Sequence, residues 1–298
     1  MTPRMARFRK LLNPYFVAAF LVSYFYPKLL WNSYIKACKR IGLRRGVFVL
    51  SFDCDTELDI EVIPEVYRKL KNLGIRPVFA VPGELIIAGG AVYKSLADDG
   101  AEFINHGYKK HTDLKLPDRI YESYFFYETL TTPEVESDIR SGDEVIRDYL
   151  GLTPKGFRTP HFGTYQSKKN LAFLHKTLKE LGYKFSTSTP PFYGFRNGPL
   201  SIHDSVIELP VSGCPSWPLR ILDSWGFAFN PQRIVSKADY IQELSALTDL
   251  LESKDPVFIN IYADPSQIYD WPEFFEAMKR LVRFNAHSFE SAIGILQP

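Results

Sequence analysis

Apolar and polar positions along the chain alternate between two rhythms. Val47–Leu50 and Phe52 form a short, nearly continuous apolar run, the pattern of a buried strand. Val62, Val66, Leu70 and Leu73 then recur at helical spacing, and Gly74 closes them. The exchange repeats down the chain. Strands are predicted over 76–81, 102–105, 155–158, 184–188, 206–209 and 257–262. Helices are predicted over 85–96 (broken at Gly89-Gly90), from the cap-and-proline start Thr132-Pro133-Glu134 to Leu150, and over 167–181, 238–251 and, last, 272–284. Strands alternating with helices imply parallel βα units. Seven such units from Gly46 onward predict one α/β domain, with a closed or nearly closed barrel fitting better than an open sheet.

Two stretches fall outside this rhythm. Residues 109–132 are polar and aromatic, and too long for a bare loop, so some helix near a site is expected there. Residues 213–231 are rich in glycine, proline and tryptophan and read as loop.

The first 45 residues differ from the rest. Arg4, Arg7, Arg9, Lys10, Lys28, Lys36, Lys39, Arg40, Arg44 and Arg45 stand there without a single acid. Between the basic clusters lies an apolar, aromatic run from Tyr15 to Tyr26, too short to span a bilayer and interrupted by Pro27-Lys28. No small-x-small cleavage site follows, as a secretory signal would require. The segment suits the interface of an anionic membrane, or a helix packed on the domain as a lid. The division expected is therefore 1–45 as a basic, apolar N-terminal segment and 46–298 as the barrel. The formal net charge of the 298 residues is only +2, which gives no argument for a nucleic-acid partner. Cys38, Cys54 and Cys214 are widely spaced without a CxxC, so neither a disulfide framework nor a structural zinc site is indicated. A reducing compartment follows, for a chain that is cytoplasmic or membrane-associated.

The polar residues that follow the predicted strands carry the chemistry. Asp53 and Asp55 come after the first, His106 and His111 after the third, Arg158, Pro160 and His161 after the fourth, and Asp264-Pro265 after the seventh. In a parallel barrel these converge on one mouth. An aspartate with two histidines is a ligand set for a catalytic zinc with open positions. A second acid beside the metal would deprotonate water, and an arginine would keep that acid ionised and oriented. The bland alternatives are a solvated helix cap for the two aspartates, a turn residue for Asp264 and a packing role for His161. His175 reads as a surface or half-buried helix position, and His203-Asp204 falls at the wrong end of the barrel.

In this order, SFDCDTE, INHGYKKHTDL and GFRTPHFG resemble the first three motifs of the polysaccharide deacetylase family, also called carbohydrate esterase family four or the NodB-homology domain. The resemblance runs from about Val47 to Phe289. It implies a deformed seven-unit (β/α) barrel that uses a divalent metal, usually zinc, to remove acetyl groups from N-acetylated sugars of a cell-envelope or surface polysaccharide. Asp53 would be the general base and Asp55, His106 and His111 the metal ligands. Arg158 would orient Asp53, and the backbone N–H of His161 would help bind the oxyanion.

The sequence departs from the family twice. His106 and His111 are five apart rather than four, so either a bulge keeps both inward or Lys110 takes the aligned place. FINIYADP lacks the histidine that serves as general acid in the family, which leaves His161 or Asp264 for that task. Ser186, Thr187 and Ser188 likewise lack the aspartate of the fourth motif. Two other readings remain open: a small-molecule amidase similar to allantoinases, and a barrel that binds glycan without catalysis.

Overall fold

The computed structural model describes residues 14–297; the basic residues Arg4, Arg7, Arg9 and Lys10 lie outside them. Its strands are β1 (Val47–Asp53), β2 (Val78–Val81), β3 (Phe103–Asn105), β4 (Thr112–Lys115), β5 (Ile120–Ser123), β6 (Gly156–Phe157), β7 (Phe185–Ser186), β8 (Ser201–His203), β9 (Val206–Glu208) and β10 (Phe258–Ala263). Eight of them form one sheet in the order β10-β1-β2-β3-β6-β7-β9-β8. Seven run parallel, and β8 returns antiparallel on β9. Every residue of β1 and β10 is buried, as expected for strands covered on both faces, and their register runs from Val47 opposite Phe258 to Phe52 opposite Ala263. Helices between the strands supply the outer layer. Glu57–Leu73 turns Ile63, Val66, Tyr67 and Leu70 onto the sheet, starts on a Thr56–Asp59 capping box and stops at the left-handed Gly74.

The sheet curls but its ladder does not close. Between β9 and β10 the chain from 209 to 212 runs alongside, and one residue stitches the seam. Asn260 Nδ2 donates to Thr187 Oγ1 (2.9 Å) and to the carbonyls of Leu209 and Pro210 (3.2 Å each). The backbone of Asn260 exchanges hydrogen bonds with Ser212 at 2.7 and 2.9 Å. The helix Pro27–Arg40 covers this seam: Tyr34 Oη donates to the Phe258 carbonyl at 2.9 Å, and Trp31 meets Phe195 edge-on at 5.1 Å. The apolar helix Pro14–Phe25 precedes it.

Three local expectations are corrected. The stretch 109–132 holds the hairpin β4–β5 and only one short helical turn, Tyr127–Thr129. The last helix is Phe289–Leu296, started by Ser288, whose hydroxyl accepts from Ser291 N. His175 is buried, because its imidazole pairs with the buried Glu208 (Nε2–Oε2 3.1 Å) under a stacked His203.

Candidate metal centre

The site forms where the parallel strands end. Asp53 is the last residue of β1 and Asp55 lies two beyond it, while the intervening Cys54 is buried in the core. His106 directly follows β3, and Arg158 directly follows β6. Residues as far apart as Asp53 and Arg158, 105 positions, thus share one cluster only because the strands are parallel and neighbouring.

Asp55, His106 and His111 each offer a ligand atom, and these atoms all lie within 4.8 Å of one another. His111 Nε2 is 3.0 Å and His106 Nε2 3.5 Å from Asp55 Oδ1. The other ring nitrogens face backbone carbonyls: His106 Nδ1 lies 2.8 Å from Arg158 O, and His111 Nδ1 3.3 Å from Lys109 O. A carbonyl accepts only, so each Nδ1 carries the proton and each Nε2 presents its lone pair inward. Asp55 Oδ1 and His111 Nε2 are buried without a hydrogen-bond partner. Burial opposes ionisation of Asp55, but His111 and His106 outweigh it and hold the carboxyl well below its usual range. Burial lowers His111, and the charge of Asp55 outweighs that and raises it. Two unpartnered buried atoms facing one another mark the place a divalent cation fits, and one carboxylate with two imidazoles suits zinc.

The five-residue histidine spacing is met by loop, not helix. Gly107 takes a left-handed conformation (φ 80°), and Asn105 Oδ1 accepts its N–H at 2.8 Å. Asp138 accepts from Lys109 N (2.9 Å) and from the Tyr127 hydroxyl (2.7 Å), while Glu84 accepts from Lys110 N (2.8 Å). Lys110 swings away to Glu57 and Asp113, at 2.6 and 3.0 Å, so it is His111 that faces Asp55. The motif reading named none of Asn105, Asp138 and Glu84; a polar residue inside an otherwise apolar strand end was the signal for Asn105.

Beside the ligands, the fully buried Arg158 donates from Nη1 to Asp53 Oδ1 and from Nη2 to Ser51 Oγ (2.8 Å), and Phe162 and Tyr262 flank its guanidinium at 5.3 and 5.4 Å. Asp53 Oδ2 lies 4.0 Å from His106 Nε2. His161 sits against His111 (ring centroids 4.8 Å) and Phe126 (4.5 Å) with a left-handed backbone, φ 58°. Burial, then the neighbouring His111, pushes its imidazole down to about 3. Asp264 caps the turn Pro265–Ile268 and accepts from Gln267 Nε2. Burial, then the charges of Asp55, Asp59 and Asp53, raises its carboxyl well above the usual range.

A second buried acid, which the motif reading also left unnamed, holds the loops around Arg158. Glu208 Oε1 accepts from Ser188 N (2.8 Å), Thr189 N (2.9 Å) and Thr189 Oγ1 (2.8 Å), and Ser188 Oγ accepts from Thr159 N at 3.0 Å. Ser188, standing where an aspartate was expected, therefore clamps the backbone of Thr159, and Ser186 Oγ donates to the Ser188 hydroxyl at 2.9 Å. Tyr193, in the helix Pro191–Asn197, donates to Gln166 O at 3.1 Å, and the Arg220 guanidinium lies over the ring of Trp217.

Residues 40–186 match the family model described as Polysaccharide deacetylase. No curated protein matches the chain by sequence. Among solved structures, it is similar to a protein assigned by name as a polysaccharide deacetylase from Mycobacterium smegmatis. The two are 19% identical, the match covers 80% of this chain and 83% of that one, and the TM-score is 0.59. A Pseudomonas aeruginosa PAO1 protein, also assigned by name as a polysaccharide deacetylase, gives 13% identity, coverage of 81% and 85%, and a TM-score of 0.58. The allantoinase Puue gives 12%, 81% and 84%, and 0.57. At these identities the likeness is one of fold, and the curled sheet is the deformed barrel that the motifs implied.

Proposed function

Over residues 40–186 this chain belongs to the polysaccharide deacetylase family, and from that premise we propose a metal-dependent hydrolase that removes the acetyl group from an N-acetylated sugar of a cell-envelope or surface polysaccharide. The observation that carries the reading is the buried Asp55–His106–His111 donor set with Arg158-held Asp53 beside it. When bound by those three residues, zinc supplies Lewis acidity and a water of lowered pKa. Asp53, fixed on its Oδ1 side by Arg158, accepts the proton of the attacking water. The N–H of His161, turned by its left-handed backbone, donates to the oxygen on which charge develops. His161 stays neutral at pH 7, which leaves Asp264 as the group that carries a proton for the departing amine. A glycan-binding protein has no use for a base clamped beside its ligand set, and this favours hydrolysis.

The test is acetate release from N-acetylglucosamine oligosaccharides and peptidoglycan fragments, with allantoin as a competing substrate and zinc content measured in parallel. Zinc on the wild type, lost in Asp55→Ala and His111→Ala, together with acetate release lost in Asp53→Asn, is expected. Zinc-loaded wild type that hydrolyses allantoin alone, or no substrate of either kind, would overturn the proposal.

A further inference from the structure

The helix Pro14–Phe25 is uncharged, and its outer side is left to solvent although it is apolar. Phe16 meets Phe192 edge-on at 5.3 Å, and Ser23 accepts from Leu219 N at 3.4 Å, so an inner stripe seats the helix on the domain. The opposite side and the turn after it carry Leu21, Tyr24 (67% exposed), Phe25 (64%), Tyr26 (63%) and Leu29 (57%). Contiguous exposed aromatics of this kind mark a surface with a partner. Among the described residues no helix is long and apolar enough to cross a membrane. The following helix, Pro27–Arg40, buries Trp31, Tyr34, Ile35 and Cys38 and turns Lys28, Lys36 and Arg40 outward. The segment from 14 to 45 holds no acidic residue, and Asp255 pairs with Lys39 at 2.6 Å. Arg196 stands over the ring of Tyr15 at 5.5 Å, on the domain side of the same surface.

We infer that this surface docks the chain on an anionic membrane. The aromatic helix lies in the interfacial layer, and the basic residues of the helix after it face the headgroups. Aromatic rings with polar edges favour that layer, and the adjoining basic helix, of which Lys39 is paired with Asp255 at 2.6 Å, gives it a charge opposite to that of the lipid it meets. The two segments that seat the helix, the helix Pro191–Asn197 with Phe192 and the loop with Leu219, follow β7 and β9 in the chain.

Flotation of the purified full chain with phosphatidylcholine vesicles, with and without about one third phosphatidylglycerol, tests this. Wild type is expected to float with the anionic vesicles, with binding reduced about tenfold or more both in Leu21→Ser/Tyr24→Ser/Phe25→Ser and in Lys28→Gln/Lys36→Gln/Arg40→Gln. All these side chains are exposed, so an unchanged unfolding temperature shows that the variants fold. Three results would overturn the inference: wild type that stays with the soluble fraction, a serine variant that floats as well as wild type (binding by the basic termini alone), or a lipid-free dimer that the serine variant abolishes.

Discussion

The carbonyl oxygen of Arg158 lies 2.8 Å from His106 Nδ1, while the guanidinium of the same residue grips Asp53. One residue therefore orients a proposed metal ligand through its backbone and the proposed base through its side chain. The two functions separate on mutation. Arg158→Ala leaves Asp53 buried without its partner, and a loss of about 3–5 kcal/mol in stability is expected by chemical denaturation. Asp53→Asn removes the proposed proton acceptor but none of the three proposed ligands. Turnover is expected to fall about 10²–10⁴-fold while zinc content stays at the wild-type level. An Asp53→Asn protein that is active would exclude Asp53 as the base.

Gly107 is required by its backbone and by its neighbours. With φ at 80°, an added Cβ would run into the Asp138 carboxylate and the Tyr127 hydroxyl. Gly107→Ala is expected to displace the loop that carries His111, costing at least about 1–2 kcal/mol from the left-handed backbone alone. Zinc binding should weaken more than global stability does; zinc titration beside a thermal melt compares the two.

Glu208 acts on the loop after β6 at one remove, through Ser188 and Thr189. Glu208→Ala strands His175 and three donors, and a loss of about 3 kcal/mol or more is expected. Glu208→Gln keeps one acceptor oxygen for the three donors that share Oε1 and should recover much of the stability. Equal melting temperatures for Glu208→Ala and wild type would remove Glu208 from this role.

Glu102 contributes a pH dependence of definite sign. Its carboxylate accepts from Phe289 N at 2.7 Å, yet burial dominates and pushes it up from 4.5 to about 7. The folded chain therefore keeps a proton that the unfolded chain gives up. This contribution to stability is complete below about pH 4.5 and is lost as pH rises through about 7. Glu102→Gln should flatten that slope, gaining on wild type by at most a few kcal/mol between about pH 5 and 8. Melting temperatures of the two proteins across this range measure it, and parallel curves would contradict the assignment.

The parallel strands were legible because each is a short apolar run bounded by punctuation, and buried strands need little else. The acids and histidines stood out because charge directly after such a run has few innocent explanations. What stayed hidden depends on partners far along the chain. Nothing near His175 announces Glu208, 33 residues away, and without that partner a histidine in a helix reads as surface. The hairpin β4–β5 was missed because only Tyr121 and Thr112 of its strands are buried, which leaves too little alternation to count. Phe289–Leu296 is short, and its Ser288 cap is a signal that helical spacing over eight residues cannot reinforce.

Asn260 joins two strand segments that share no ladder. A ladder fixes circumference, since every rung repeats the same spacing, whereas a joint made at one residue fixes only a point. On either side of that point the wall can widen or narrow without unpairing a strand. The mouth at the carboxyl ends of the strands thus has one line of its wall held by side-chain bonds rather than by a ladder.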